Sequence, residues 1–504
     1  MTDPRPAAIR PDPLPEGEGR HGCAIRAWAR LTPEALALSA GGRRWSHAEL
    51  DLEVARWTAL LEARGVAAGD RVAVLAASHP LFVPLYFALG RLGAVAAPLN
   101  ARLTAVELAP LVQRLEPRLT IALRALLERL PQAQVLESLA QEAASLAPSS
   151  RDTPLAPDAE RVILFTSGTT GQPKGALLTE GNFRAACRAS AANLGAWPAP
   201  RWLGTLPLFH VGGLGMLTRC AYEGGALLLH ERFDAQAVNR ALDEDGVSHA
   251  SFVATTLERV LDARGARPVP PTFRLALLGG GPVPPPLVAR ARAVGLLALQ
   301  TYGLTEACAQ VATERPGEAT GQDAGRALPG NSLRIVGPDG VGPEGVSLPA
   351  GEEGEIEVRG PTVMKGYFRQ PEATREVLRD GWLRTRDLGV LDGEGRLTVL
   401  SRRADLIVCG GENVYPAEIE AVLAAHPAVR EAAVAGMPDA RWGQVPAALV
   451  VLRGEGPLPE DLEAFCRARL AGFKVPRRFL RTPELPRNAL GKVDRAALRA
   501  LLGA

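Results

Sequence analysis

The feature that most restricts this chain is a ten-residue stretch at positions 166–175, with the sequence Thr-Ser-Gly-Thr-Thr-Gly-Gln-Pro-Lys-Gly. It directly follows an apolar run, residues 162–165, of the kind that forms a buried strand. Glycines let the backbone approach a ligand closely, and successive backbone N–H groups in such a turn form an anion-binding nest. Hydroxyl groups add donors, and Lys174 adds a charge suited to phosphate. The stretch predicts a phosphate-binding loop rather than a flexible surface linker.

The loop is not a Walker A motif, which requires a glycine, four residues and then Gly-Lys-Ser/Thr. Here two residues separate Gly168 from Gly171, and Pro173 precedes the lysine. A P-loop NTPase is therefore disfavoured.

Composition places the chain among globular proteins of several domains. It has 504 residues, of which 47% are hydrophobic and 22% charged, enough for two or three domains. The formal net charge of +2 and an aromatic content of 5% argue against a nucleic-acid partner or an anionic membrane surface. The sequence is compatible with a homodimer.

The cysteines and the first residues indicate the compartment. Six cysteines are scattered without a C-x-x-C pair, so neither a zinc site nor a disulfide framework is indicated. Residues 1–20 are rich in Pro, Gly and Arg and lack the apolar segment of a signal peptide, which predicts a flexible arm. The longest apolar region, 72–99, is interrupted by prolines and an arginine and is no membrane span. We expect a cytoplasmic protein with no membrane insertion.

Alternating strand and helix patterns indicate an α/β fold with doubly wound sheets. Residues 70–75 and 93–99 are predicted strands, with a helix over 80–92 between them. Ser46 and Glu49 form a capping-box pattern that starts an earlier helix and places His47 on its surface. After Arg402 the pattern changes to that of a compact α+β unit. We expect a large N-terminal domain over 21–402 and a small C-terminal domain over 403–504.

Two further segments suggest a ligand pocket. Residues 206–209 read as a buried strand that ends in His210 and two glycines, and ligands bind beyond the carboxyl ends of strands in α/β sheets. A purely structural histidine is the alternative. An apolar run over 275–278 leads into Gly279, Gly280 and Gly281, but Pro284 breaks the dinucleotide fingerprint.

The segment Tyr302-Gly-Leu-Thr305-Glu306 supplies a carboxylate beside hydroxyl groups. Mg²⁺ takes one or two protein carboxylates together with substrate phosphates, so Glu306 is a candidate ligand.

These motifs together resemble the adenylate-forming superfamily, which includes the acyl-CoA synthetases. The resemblance implies that the loop grips the β- and γ-phosphates of ATP through Thr166, Ser167, Gly168, Thr169, Thr170, Gly171 and Lys174. It also implies that Tyr302 packs on adenine, Thr305 binds the α-phosphate and Glu306 holds Mg²⁺. The glycines at 279–281 would border the adenine and acyl sites, and Asp387 would bind the ribose hydroxyls.

The same resemblance assigns the C-terminal residues. Arg402 would contact the nucleotide, Ala404 would be the hinge, and Gly410 and Gly411 would line the pantetheine channel. Lys492 matches the catalytic lysine.

In the N-terminal part, His210 would line the acyl pocket and gate entry of the second substrate. The chain departs from the usual pattern at Arg386, where relatives have glycine, and at Ala404, where many relatives carry Asp or Lys.

The implied reaction joins a carboxylic acid to coenzyme A at the expense of ATP, through an acyl-adenylate. Segments 206–214, 229–233, 278–282, 405–419 and 485–488 resemble one branch, the o-succinylbenzoate–CoA ligases of menaquinone synthesis. That acid carries a second carboxylate, and Arg219 is the candidate cation, with a solvated or structural arginine as the alternative. Another aryl- or fatty-acyl-CoA ligase, a luciferase-like oxidative enzyme and a non-catalytic nucleotide sensor are the competing functions.

Overall fold

The computed structural model describes residues 23–166, 173–195, 197–281, 283–337, 346–401, 406–454, 457–487 and 493–503. The chain divides into two compact units. The first comprises the residues up to Ala101, Leu115–Leu164 and Gly175–Leu400. The second comprises Arg102–Arg114, Phe165–Lys174 and Ser401–Ala504. The predicted fold class, α/β with a large N-terminal and a small C-terminal part, is confirmed. The predicted boundary between 402 and 403, and the arm at 1–20, stay predictions.

The described residues contain the following α-helices: α1 Ala24–Leu31, α2 His47–Ala63, α3 Phe82–Leu92, α4 Ala105–Leu115, α5 Leu136–Ser145, α6 Glu180–Leu194, α7 Val211–Glu223, α8 Ala235–Glu244, α9 Ala254–Arg264, α10 Pro285–Ala293, α11 Pro371–Val377, α12 Pro416–Ala424, α13 Leu462–Arg467 and α14 Arg495–Gly503. Short 3₁₀ turns cover Arg124–Arg129 and Thr305–Ala307. Within these ranges, no helix combines the length and the apolar character needed to cross a bilayer.

The strands, in chain order, are β1 Leu36–Ala40, β2 Arg43–Ser46, β3 Arg71–Leu75, β4 Val95–Leu99, β5 Leu119–Ala122, β6 Gln134–Val135, β7 Glu160–Thr166, β8 Lys174–Thr179, β9 Arg201–Gly204, β10 Ala226–Leu229, β11 His249–Phe252, β12 Leu275–Leu278, β13 Ala298–Tyr302, β14 Ala312–Thr313, β15 Arg326–Ala327, β16 Ser332–Val336, β17 Glu353–Arg359, β18 Gly366–Tyr367, β19 Leu378–Arg379, β20 Trp382–Leu391, β21 Leu397–Ser401, β22 Ile407–Cys409, β23 Glu412–Val414, β24 Val429–Asp439, β25 Gly443–Leu452 and β26 Arg478–Arg481.

Two large sheets position the N-terminal motifs. One has the order β15-β14-β13-β12-β11-β9-β10-β1-β2, and its strands from β13 to β1 run parallel. The other has the order β18-β8-β7-β4-β3-β5-β6, with β7, β4, β3, β5 and β6 parallel. Helices supply the crossovers, and apolar side chains on both faces form the core, as parallel sheets require. Parallel strands end at one edge of a sheet, which gathers the segments that follow β11, β12 and β13.

Two smaller sheets complete the architecture. In the first unit, β16, β17, β20 and β19 form an antiparallel sheet with β21 paired to β20. In the second unit, β23, β22, β25 and β24 are antiparallel and β26 pairs with β25 in parallel. The C-terminal sheet carries its own apolar core against α12, α13 and α14.

The capping box at Ser46 and Glu49 is confirmed, because each residue's side chain accepts a hydrogen bond from the other's backbone N–H. The surface position predicted for His47 is wrong. Its side chain is fully buried, and its ring centroid lies 6.2 Å from that of Trp28 on α1. The reason is tertiary: α1, whose packing the local pattern did not reveal, covers the first turn of α2.

The strand predicted over 206–209 is also wrong. Strand β9 ends at Gly204, and residues 207–210 turn instead, with the His210 N–H donating to the Pro207 carbonyl at 3.1 Å. Pro207 lacks the N–H that a central strand position needs, so an apolar run around it does not continue the sheet.

A buried histidine in the nine-stranded sheet should lower the stability of the fold at acid pH. His249 stacks on Trp202 with ring centroids 4.8 Å apart, and burial, reinforced by Arg219 and Arg274, lowers its pKa to about 3. The His249 side chain is therefore neutral in the folded state. The contribution of His249 to the free energy of unfolding is present in full above its unfolded pKa of about 6.5. It is lost, at about 1.4 kcal/mol per pH unit, as the pH falls below that value.

We predict that His249→Phe removes this pH dependence while keeping an aromatic ring against Trp202. Between pH 7 and pH 5, the free energy of unfolding measured in urea should fall by roughly 2 kcal/mol more for the wild type than for the variant. Parallel losses in the two proteins would show that His249 is not the group responsible.

Candidate active site

The predicted phosphate-binding loop lies between two adjacent strands of the seven-stranded sheet. Strand β7 ends at Thr166 and β8 begins at Lys174, and the Thr166 hydroxyl donates to the Lys174 carbonyl at 3.4 Å. Lys174 is buried, with 7% of its surface exposed. The hydrogen bond between Thr166 and Lys174 joins the two ends of the loop. The residues between them, Ser167, Gly168, Thr169, Thr170 and Gly171, lie outside the described residues.

Two residues assigned to the nucleoside are in direct contact. Tyr302 ends β13, Asp387 lies on β20, and the Tyr302 hydroxyl donates to Asp387 Oδ2 at 2.8 Å. Both side chains are buried. The Asp387 N–H also donates to the Thr385 hydroxyl at 3.1 Å. The aromatic face predicted for adenine and the carboxylate predicted for ribose therefore meet in one place.

The candidate magnesium ligand is held by a residue that the sequence did not indicate. Thr305 and Glu306 share the 3₁₀ turn that follows β13, and Glu306 is buried. Its Oε1 accepts a hydrogen bond of 2.9 Å from the Tyr367 hydroxyl, and its backbone carbonyl accepts one of 2.8 Å from Met364 N–H. Tyr367 thereby fixes the carboxylate, while Mg²⁺ requires few protein ligands when substrate phosphates supply the rest. The residues present fit that ion.

The glycine turn after β12 is shaped by close packing. A Cβ atom on Gly279 would lie 2.8 Å from Thr301 Cγ2 and 2.9 Å from the Thr301 carbonyl oxygen. Gly280 has a φ of +84°, a value that side chains rarely adopt. Gly279 therefore lies against Thr301 of β13, one residue before Tyr302, and Gly280 lies against Val253. This is the edge at which the parallel strands end.

His210 occupies the N-cap position of α7, and its carbonyl accepts the first helical hydrogen bond, of 2.9 Å, from Leu214. Its ring is partly exposed and contacts Phe209, with centroids 4.7 Å apart. Gly213 permits the tight approach of this helix start, because a Cβ there would lie 2.2 Å from the Pro207 carbonyl oxygen.

Arg219 lies on the same helix, nine residues further on, and is buried with 6% of its surface exposed. Its guanidinium carbon lies 4.7 Å from the Trp202 ring centroid, and Nη2 donates to Gln310 Oε1 at 2.6 Å. Among the described residues, its Nε and Nη1 atoms have no hydrogen-bond partner. Burial raises the pKa of nearby Glu223 to about 7, an effect that Arg219 opposes. Arg219 is therefore a buried cation, not a solvated one, and two of its nitrogen atoms remain available to donate hydrogen bonds.

The Arg386 departure has a conformational consequence. Arg386 has a φ of 62°, in the left-handed region that glycine adopts freely and other residues adopt at a cost of about 1–2 kcal/mol. Its N–H donates to Glu355 Oε1 at 3.0 Å, and its guanidinium lies 3.6 Å from Glu376 Oε2 on the surface. Such an exposed ion pair contributes little.

We predict that Arg386→Gly leaves the fold as stable as the wild type, or more stable by up to about 1 kcal/mol, because strain relief offsets backbone entropy. The matched variant Arg386→Ala keeps the strained φ and should be about 1 kcal/mol less stable than the glycine variant. Thermal denaturation measures both. Equal melting temperatures for the two variants would refute the strain argument.

The predicted Gly-Gly turn of the second unit forms the hairpin between β22 and β23. Gly410 and Gly411 have φ values of 59° and 87°, as a two-residue hairpin turn requires. The Gly410 N–H donates to the Trp442 carbonyl at 2.8 Å, and a Cβ on Gly410 would lie 2.7 Å from the Trp442 ring. Three other predicted residues, Arg402, Ala404 and Lys492, lie outside the described residues.

Comparison with known proteins agrees with these motifs. The profile of the AMP-binding enzyme family matches residues 25–368, and that of the AMP-binding enzyme C-terminal domain matches residues 418–492. The 2-succinylbenzoate–CoA ligase of Geobacillus kaustophilus (strain HTA426) is 42% identical over 482 residues, covering 95% of this chain and 97% of the relative.

Solved structures of one Bacillus subtilis enzyme, o-succinylbenzoate CoA synthetase, are also similar. A double mutant bound with the product analogue OSB-NCoA is 36% identical, with a TM-score of 0.88 over 95% of this chain and 98% of that chain. The complex with the acyl-adenylate intermediate OSB-AMP has the same identity and coverage and a TM-score of 0.72. The chain belongs to the family of AMP-binding enzymes, on the branch of the 2-succinylbenzoate–CoA ligases.

Proposed function

We propose that this protein is an ATP-dependent acid–CoA ligase that converts 2-succinylbenzoate to its CoA thioester through an acyl-adenylate. The observation that carries the proposal is the pairing of motif residues within the family fold. Tyr302 bonds Asp387 at the predicted nucleoside site, and Tyr367 bonds Glu306 beside Thr305. The relatives that match over most of the chain bear the name of this activity.

In the first half-reaction a carboxylate oxygen of the acid attacks the α-phosphorus of ATP. The new O–P bond forms as the bond to the bridging oxygen breaks, and pyrophosphate leaves. Catalysis of this kind depends on positioning and charge neutralisation. Lys174 and the loop hydroxyls would hold the departing phosphates, Thr305 the α-phosphate, and Lys492 the oxygens on which charge develops. Glu306 would hold Mg²⁺, which neutralises phosphate charge when bound.

In the second half-reaction the thiol of coenzyme A, losing its proton, attacks the acyl carbonyl, and AMP leaves as the C–O bond breaks. We assign the channel for the pantetheine arm to Gly410 and Gly411, and the gate to the acyl pocket to His210. Arg402 would contact the nucleotide. A rotation at Ala404 would withdraw Lys492 after the first step, and a small hinge residue suits such a change in φ and ψ.

Acid-dependent exchange of labelled pyrophosphate into ATP, measured without coenzyme A, tests the first half-reaction by itself. We expect exchange with 2-succinylbenzoate and none without an acid. Binding of nucleotide without any exchange would instead favour a nucleotide sensor. Oxygen uptake would favour a luciferase-like enzyme. The proposal also includes a cytoplasmic location and the lack of a nucleic-acid partner.

We assign the second carboxylate of the acid to Arg219, the buried cation on the helix that His210 caps. A site built to bind a charged group loses most affinity when its partner is deleted, so Arg219→Met should lower kcat/KM for 2-succinylbenzoate about 10²–10³-fold. The analogue 4-oxo-4-phenylbutanoate, which keeps the side-chain carboxylate that reacts with ATP and has a hydrogen atom in place of the ring carboxylate, should be far less affected. Arg219→Lys keeps the charge and serves as the matched control. An equal loss for both acids would assign Arg219 a structural role.

A further inference from the structure

Gln310 is a buried amide whose orientation is fixed from both sides. Its Oε1 accepts from Arg219 Nη2 at 2.6 Å, and its Nε2 donates to the Thr313 hydroxyl at 3.2 Å and to the Thr301 hydroxyl at 3.5 Å. The Thr301 hydroxyl in turn donates to the Ala312 carbonyl at 3.0 Å. A flipped amide would bring its NH₂ group against the guanidinium donors, so the network admits one orientation.

The backbone around Gln310 is equally constrained. Cys308 and Ala309 have φ values of 53° and 81°, an unusual conformation for residues other than glycine. The turn brings the Ala309 carbonyl so close to Gly303 that a Cβ on that glycine would lie 1.4 Å from it. Gln310 is thereby held at a set distance from the Tyr302–Glu306 segment. Strain of this kind is maintained where the surrounding structure determines a position.

The amide partner of Arg219 carries no charge to offset that of the guanidinium. The Trp202 ring covers one face of the guanidinium, and Gln310 occupies Nη2. Arg219 lowers the pKa of the nearby Glu223 carboxylate, which burial raises to about 7, but among the described residues Arg219 forms no ion pair. A buried cation is costly unless an anion pairs with it. A neutral amide orients the guanidinium without satisfying its charge. A carboxylate at position 310 would satisfy the charge and leave nothing for an acid to gain.

We infer that Gln310 is a positioning residue that orients Arg219 toward the second carboxylate of the acid and keeps that cation unpaired until the substrate binds. The selectivity of the acyl pocket for a dicarboxylic aromatic acid then depends on a neutral hydrogen-bond acceptor at position 310. The inference rests on the proposed function, which assigns that acid to this pocket.

Two variants of Gln310 separate orientation from charge. Gln310→Glu keeps an acceptor for Nη2 but neutralises the cation, and should raise the KM for 2-succinylbenzoate about 10²-fold. Gln310→Leu removes the acceptor and should raise it about 10-fold. Neither variant should change the KM for ATP or the KM for 4-oxo-4-phenylbutanoate, the analogue without the ring carboxylate. Gln322, on an exposed segment, provides the same two substitutions as matched controls, which should leave every parameter unchanged.

A double-mutant cycle completes the test. In an Arg219→Met background, Gln310→Leu should add no further change in the KM for 2-succinylbenzoate, because the group it orients is gone. Equal losses for both acids, or an unchanged KM in Gln310→Glu, would overturn the inference while leaving the ligase function intact. A wild-type protein that makes no thioester from 2-succinylbenzoate would overturn the proposed function itself.

Discussion

Lys492→Ala should abolish formation of the acyl-adenylate but spare formation of the thioester from adenylate supplied ready-made. The chain contains four lysines, and nearly all of its remaining basic residues are arginines. A compact ammonium placed where charge develops on the carboxylate and α-phosphate oxygens stabilises the transition state. Losing one such group costs about 10²–10³-fold in kcat. In the proposed mechanism the second half-reaction follows a rotation at Ala404, so its rate should change less than about threefold.

Stopped-flow or quench measurements of each half-reaction, with the synthetic adenylate as substrate for the second, provide the comparison. Lys365→Ala is the matched control, because the Lys365 ammonium pairs on the surface with Glu160 at 2.9 Å and takes no part in the site. Comparable losses in both half-reactions of Lys492→Ala would contradict the two-state account.

Lys474→Met should destabilise the second unit by about 3–5 kcal/mol. The Lys474 ammonium is buried and lies 2.7 Å from carboxylate oxygens of both Glu107 and Glu418. The two carboxylates raise its pKa despite the opposing effect of burial. Removing the cation leaves two largely buried carboxylates without a counter-charge, which is more costly than removing a whole ion pair. Urea denaturation, followed by a probe in the C-terminal segment, measures the loss.

Glu418→Gln is the control within the same cluster. Burial raises the pKa of Glu418, and its Oε2 has no hydrogen-bond partner among the described residues. Its charge is therefore the less well satisfied of the two, and the variant should change the free energy of unfolding by less than about 1 kcal/mol, since Glu107 still pairs with Lys474. Equal destabilisation by the two variants would show that the cluster does not depend on its single cation.

The sequence predicted those parts of the candidate site whose chemistry requires characteristic residues close together in the chain. Glycines beside hydroxyls and a lysine indicated a phosphate-binding loop at 166–175, and the run from Tyr302 to Glu306 indicated a nucleotide site; both stay predictions. The hydrogen bond from Tyr302 to Asp387 spans 85 residues, so each partner was predicted separately and only the fold joins them.

Other features carry no local signal. Tyr367 and Gln310 are isolated polar residues whose partners, Glu306 and Arg219, lie 61 and 91 residues away. His47 was misplaced for a related reason, because the helix that buries it is packed by tertiary contacts that periodicity does not record. At 206–209 an apolar run was read as a strand although Pro207 prevents it.

The most direct test of the central claim is a mass-spectrometric search for acyl-CoA products. The purified protein is given ATP, Mg²⁺, coenzyme A and one acid from a panel of 2-succinylbenzoate, benzoate, coumarate, malonate and a fatty acid. The account predicts a thioester from 2-succinylbenzoate, together with AMP and pyrophosphate, and little or none from the others. A thioester formed only from a different acid would contradict the substrate assignment, and ADP with phosphate in place of AMP would contradict the adenylate mechanism.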